Sequence, residues 1–222
     1  MNIRIGCWIA LLAAAVIPLR NVAAAAPTTA EDVIHRAEER FRQLTDYDCL
    51  ADTDSRAGKK TASGTYRLWF KKPEMVRIRV IKGGHRGSEV AVDSAGKVRG
   101  REGGLLKAFV VGLSKTDRRL QSIRGVSITQ LDWGNFYRGY REGAARPGAR
   151  VTLAPHTGDA NPYEVTVTYP QEGKRVREVY RVDPARWVLL EADVFEDEVR
   201  VDHILFRDIN LDTGVADKWF RL

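Results

Sequence analysis

A mostly-β α+β domain, laid out as a long antiparallel meander, is what this sequence predicts from three observations. Apolar and polar residues alternate with period two along most of the chain. Turn signals separate the alternating runs, as in Ala57-Gly58-Lys59-Lys60, Ser94-Ala95-Gly96 and Gln171-Glu172-Gly173-Lys174. Helical spacing is confined to one N-terminal stretch and one central insert. The meander amounts to roughly ten strands, a number at which a strongly twisted sheet curls or closes.

The first residues describe an address. Arg4 precedes an apolar run from Ile5 to Leu19, and small residues follow up to Pro27. A basic start, a short apolar middle and an Ala-x-Ala-like end read as a signal peptide over residues 1–25, cleaved after Ala24 or Ala25. The apolar core is too short for a spanning helix. Cys7 lacks a lipobox, so no lipid anchor is expected, and the mature chain should be a soluble, exported, periplasmic protein. Residues 26–222 then form a single domain, within the size one core supports. Cys49 is the one cysteine left, so no disulfide forms within the mature chain.

Thr29 is placed to cap a first helix with Asp32 at the capping-box position, and Val33, Ala37, Phe41 and Leu44 recur on one face. Tyr47, Cys49, Ala51 and Thr53 then alternate as a strand. Further strands are predicted at 61–70, 75–81, 88–92 and 97–101. From 103 to 148 the alternation fades. Leu105, Leu106, Phe109, Val110, Val111 and Leu113 cluster, and Trp133, Phe136, Tyr137 and Tyr140 repeat at helical spacing behind Asp132, an N-cap. Both segments read as short helices laid against the sheet. Strands resume from Val151, at 163–169, 175–182, 187–196 and 199–206.

The stretch YRLWFKKPEMVRIRV at 66–80 holds the main clue to the interior. Tyr66, Leu68 and Phe70 share one side with Val76, Ile78 and Val80, and Arg67, Arg77 and Arg79 take the other. Pro73 reverses the chain, and Lys71, Lys72 and Glu74 are expected in solvent at a rim. Two apolar rows are thereby delivered to one concave face.

Charge and motifs narrow the function classes. The formal charge of +7 becomes +5 when Arg4 and Arg20 leave with the signal. From Lys71 to Arg101 nine Lys/Arg face three Asp/Glu, a local excess of +6. Export and the absence of a recognition motif argue against nucleic acid; a solvated sheet face, or an anionic membrane or acidic partner, fits better. Asp212-Thr213-Gly214 spells the aspartic-protease tripeptide but too little chain follows, so it reads as a turn. His35, His85, His156 and His203 lack ligand spacing, Cys49 lacks a nucleophile signature, and Ser88 lacks the Gly-x-Ser-x-Gly elbow. No catalytic residue, metal or cofactor is expected.

Taken in order, the strand, Lys-Pro, strand signature at 66–80, the hairpin SEVAVDSAGKVRGR at 88–101, Tyr180-Arg-Val-Asp-Pro184, and 206–212 with Ala216-Asp-Lys-Trp-Phe220 resemble the LolA/LolB-like periplasmic lipoprotein carriers and the related sensor RseB. The resemblance spans nearly the whole mature chain. It implies an open half-barrel of about eleven strands around an apolar cavity, with helices as a lid and 216–220 among the closing strands. Phe41, Leu68, Phe70, Val76, Ile78, Val80, Leu105, Phe109, Trp133, Phe136 and Tyr137 would line the cavity and lid. A basic residue before the proline helps to hold that lid, which makes Lys72 the latch candidate, with a point charge in place of an arginine fork. A monomeric, non-enzymatic carrier of a lipid or acylated lipoprotein is implied, with envelope membrane proteins as donor or acceptor. The alternative is an RseB-like sensor that regulates a protein partner.

Overall fold

The computed structural model describes residues 26–104, 109–158 and 160–222. The signal peptide and Leu105 lie outside the described residues.

Helix α1 (Ala30–Gln43) opens with the predicted capping box: Thr29 accepts from the Asp32 amide and Asp32 accepts from the Thr29 amide. Its apolar stripe, Val33, Ile34 and Ala37, is fully buried. Then come β1 (Asp46–Ala57), β2 (Lys60–Lys71), β3 (Met75–Lys82), β4 (Glu89–Val92), β5 (Val98–Arg101) and β6 (Val110–Leu113). Helix α2 (Trp133–Ala144) follows, and β7 (Arg150–Leu153), β8 (Tyr163–Gln171), β9 (Lys174–Val182), β10 (Leu189–Glu196) and β11 (Val199–Leu211) complete the chain.

The eleven strands make one sheet in the order β6-β5-β4-β3-β2-β1-β11-β10-β9-β8-β7, antiparallel at every step. Each chain half is a meander, and the first and last long strands, β1 and β11, zip the halves together at the centre. The edges β6 and β7 do not pair, so the sheet stays open. One face is apolar: Leu68 opposes Ile78 and Cys49, and Phe70 opposes Val76 and Tyr47. Both helices pack on that face.

Several sequence expectations are corrected. Residues 110–113 are an edge strand, not part of a helix; Val-Val-Gly-Leu is too short to nucleate a helix and instead pairs with β5. Residues 217–220, expected among the closing strands, form a 3-10 turn on the convex face, because Phe220 is buried there beside β3. β10 begins at Leu189, not at 187, because Trp187 has φ 55° and sits in the preceding turn. β11 runs on to Leu211, past the predicted end at 206.

The convex face is not uniformly solvent. Arg77 alternates away from the apolar side as predicted, yet it is buried with Glu89 beneath Trp219, whose ring lies 4.3 Å from its guanidinium. Lys71, expected in solvent, pairs with Asp217 at 2.7 Å and donates to the Val215 carbonyl. The C-terminal segment thus caps part of the outer sheet. Asp212-Thr213-Gly214 is a turn, as predicted: Asp46 accepts from the Thr213 and Gly214 amides, and Asp212 accepts from the Thr45 amide.

Candidate functional site

The concave face and its cover form the candidate site. β1, β2 and β3 supply its floor: Tyr47, Leu68, Phe70, Val76 and Ile78 are all buried, and Val80 is half-buried near the β3–β4 turn. α2 supplies the cover. Asp132 caps it by accepting from the Asn135 amide, and burial raises the Asp132 carboxyl above its ordinary range. Trp133 stacks on Tyr47 at 3.9 Å with the rings 7° from parallel, and its amide donates to the Tyr47 hydroxyl at 3.1 Å. Phe136 meets Phe206 edge-on at 5.7 Å. Tyr137 meets Phe41 of α1, and Phe41 reaches down to Phe70.

Predicted site residues from floor, α1 and α2 are therefore brought together: Phe41, Leu68, Phe70, Val76, Ile78, Trp133, Phe136 and Tyr137 converge on one apolar face. Phe109 does not join them; its side chain is 68% exposed beside the edge strand. The rings of α2 pack directly on this floor. The indole Nε1 of Trp133 is buried there without a hydrogen-bond partner among the described residues. An unpaired buried donor costs about 1–3 kcal/mol.

The two helices are strapped to each other. Arg141 of α2 binds Glu38 of α1 through both ends of its fork, at 3.1 and 2.8 Å, and also binds Glu31. Gly134 gives Phe41 its place: a Cβ there would lie 2.9 Å from the Phe41 ring and 3.0 Å from Asp132 Oδ1. Overpacking costs about 1–3 kcal/mol and the helical preference of alanine returns about 1. Gly134→Ala is therefore expected to lower the melting temperature by roughly 2–4 °C. A higher melting temperature would mean that Phe41 swings aside freely.

Lys72 engages α1, not α2. Its ammonium donates to the Arg42 carbonyl at the helix C-terminus and lies 5.2 Å from the Phe41 ring centre. Burial lowers its pKa from the ordinary lysine value. A second cation fastens the loop that leads towards α2. Arg124, in the loop 122–126 between α2 and the sheet edge, reaches Glu196 at 2.5 Å, Asp202 at 2.8 Å and the Arg56 carbonyl at 3.2 Å. Asp202 is held in turn by Ser55 at 2.6 Å. This flap bridges the segment behind β6 to the start of β11. Sequence reasoning missed Arg124, because its partners lie 72 and 78 positions on and share no local pattern with it.

Groups with reactive chemistry are engaged structurally. Burial pushes the Cys49 thiol up, which leaves it protonated. Glu191, Asp193 and His203 come close on the convex face, although the sequence shows no ligand spacing. Arg181 already bonds both carboxylates, at 2.9 and 2.8 Å, and Arg200 approaches Asp193, so the cluster is an ion-pair network. No helix among the described residues is long and apolar enough to cross a membrane.

No protein-family model and no curated protein matches the chain. Solved structures are similar in fold. MucB superposes with a TM-score of 0.53 at 15% identity, over 87% of this chain and 62% of that one, so this chain spans less than two thirds of MucB. The LolA superfamily protein NE2245 from Nitrosomonas europaea gives 0.41 at 13% identity, over 88% and 99%. The Mycobacterium tuberculosis lipoprotein LppX gives 0.49 at 11%, over 84% and 97%. With one open eleven-stranded antiparallel sheet whose apolar face lies under two helices, this chain has the LolA-like half-barrel fold that its sequence resemblance implied.

Proposed function

We propose that the exported, monomeric protein shelters the acyl chains of a lipid or lipoprotein on its concave face, for trafficking towards the outer membrane and without covalent chemistry. One observation carries the reading: an apolar floor lies under a cover whose central indole has a buried, unpaired donor. An acyl chain entering between floor and α2 gains about 0.8 kcal/mol per buried methylene. That gain is offset by lifting the aromatic cover, and an ester or amide carbonyl can accept from Trp133 Nε1. Envelope membrane proteins would be donor and acceptor.

The second reading, a sensor that regulates a protein partner, draws support from MucB, whose structures include a complex with MucA. Native mass spectrometry of protein taken from its own periplasm separates the two. A lipid or acylated adduct is expected; a stable protein partner without lipid would replace the carrier by the sensor.

A further inference from the structure

We infer that the hairpin end of the half-barrel is a docking surface for an anionic phospholipid bilayer. The register places the β1–β2, β3–β4, β5–β6, β8–β9 and β10–β11 turns at one end of the sheet. Exposed large apolar side chains gather there. Ile81 lies one residue before the end of β3, Phe109 precedes β6 and Val110 begins it, Val199 begins β11, and Ile123 and Val126 flank Arg124 on the flap fastened at this end, all 37–68% exposed. Exposed apolar side chains gathered at one end of a sheet point to an interaction site.

Cations crowd the β1–β2 and β3–β4 turns of this end, whereas the β8–β9 and β10–β11 turns also carry Glu172, Asp197 and Glu198, the last paired with Arg175 and Arg177. Residues 56–60 and 82–86, the first two loops of this end, carry five Lys/Arg and no Asp/Glu. Arg56, Lys59, Lys60, Lys82 and Arg86 are all exposed, and none makes an ion pair among the described residues. Elsewhere on the molecule arginines are mostly matched by acids, as at Arg77, Arg141 and Arg181. Apolar side chains beside two cation-rich turns complement a bilayer interface, which offers acyl tails beneath a layer of phosphate. An acidic protein would match the charges but leave the apolar tips without an apolar counterpart.

Docking in this pose sets the flap of residues 122–126 against the membrane, so the cover would open towards lipid and not towards water. That consequence rests on the acyl-sheltering reading; the docking itself does not, and the experiment keeps them apart. Mature protein is floated with vesicles of phosphatidylcholine alone or mixed with phosphatidylglycerol, and binding of a fluorescent fatty acid is measured separately without vesicles. Flotation only with the anionic vesicles, weakened by salt, is expected. The triple variant Lys59→Glu/Lys60→Glu/Arg86→Glu should bind them at least about tenfold more weakly, and Ile81→Asp/Val199→Asp, outside the flap, should also lose flotation. These side chains are exposed, so both variants should keep the wild-type melt and probe affinity. Equal flotation of wild type and both variants, or none by the wild type, overturns the docking surface whatever the probe shows. Loss of probe binding by a wild type that still floats overturns the acyl reading and leaves the docking surface standing. Retention by the apolar variant alone would make the partner an acidic surface and overturn the bilayer.

Discussion

Glu89→Ala is expected to lower the stability of the folded protein by about 3–5 kcal/mol, the usual cost of removing one member of a buried ion pair. The side chains of Glu89 and Arg77 are 5% and 8% exposed. Arg79 and Arg101 also reach Glu89, at 2.7 and 3.0 Å, but they stand near the surface and can turn to water. Arg77 cannot: Trp219 covers its guanidinium and the Trp219 carbonyl accepts from it at 2.7 Å. The penalty is therefore that of one cation left in a low-dielectric site. Urea unfolding checks it, and an unchanged midpoint would mean that water reaches Arg77.

The same cluster sets a pH dependence. Burial pushes the Glu89 carboxyl up, but hydrogen bonds and charge from Arg77 and Arg79 outweigh it and hold the carboxyl below its ordinary value of 4.5. A depressed folded pKa contributes stability above the unfolded value, and that contribution is lost as pH falls through the folded one. Acidification below about 4 should thus destabilise the wild type more steeply than Glu89→Gln. Arg77→Glu, harmless on a solvated outer face, should instead place two carboxylates together in a buried site and unfold the domain.

The second large effect belongs to the flap. Arg124→Ala removes two ion pairs and a bond to the Arg56 carbonyl. Partly exposed pairs contribute up to about 1 kcal/mol each, so the open flap should become roughly tenfold more populated. Amide exchange at residues 122–126 should accelerate by that factor, and release of a bound fatty acyl probe should follow. Global stability should move little, because opening a surface segment is not coupled to melting of the core. Lys72→Leu, acting at the end of α1, should leave exchange in the flap unchanged. If Arg124→Ala exchanges as slowly as wild type, the flap is held by packing and the latch assignment falls.

Much of this was legible in the chain, because local rules governed it. The capping box at Thr29 and Asp32, the cap at Asp132, the turn at Gly58 and the opposed rows of 66–80 all depend on neighbours in sequence. They appear in the fold as predicted. The aromatic repeat Trp133, Phe136, Tyr137 likewise predicted a helix, since its 3.6 period has one consequence wherever the helix lies.

What periodicity could not supply was the partner of each outward-facing residue. Arg77 alternates like a solvent-facing arginine, and only the return of the C-terminal segment over β3 buries it. Residues 110–113 look like the end of a greasy cluster, and only the free edge of β5 makes them a strand. Arg124 meets Glu196 and Asp202 only because the fold brings the loop 122–126 to β10 and β11. The sequence by itself determined which residues make strands and helices and which strand face is apolar, since backbone geometry and side-chain alternation act over a few residues. Tertiary structure alone decided which charges are buried, which are fastened and which stay bare at the hairpin end, because pairing and desolvation depend on atoms that only the folded chain brings within a few ångströms.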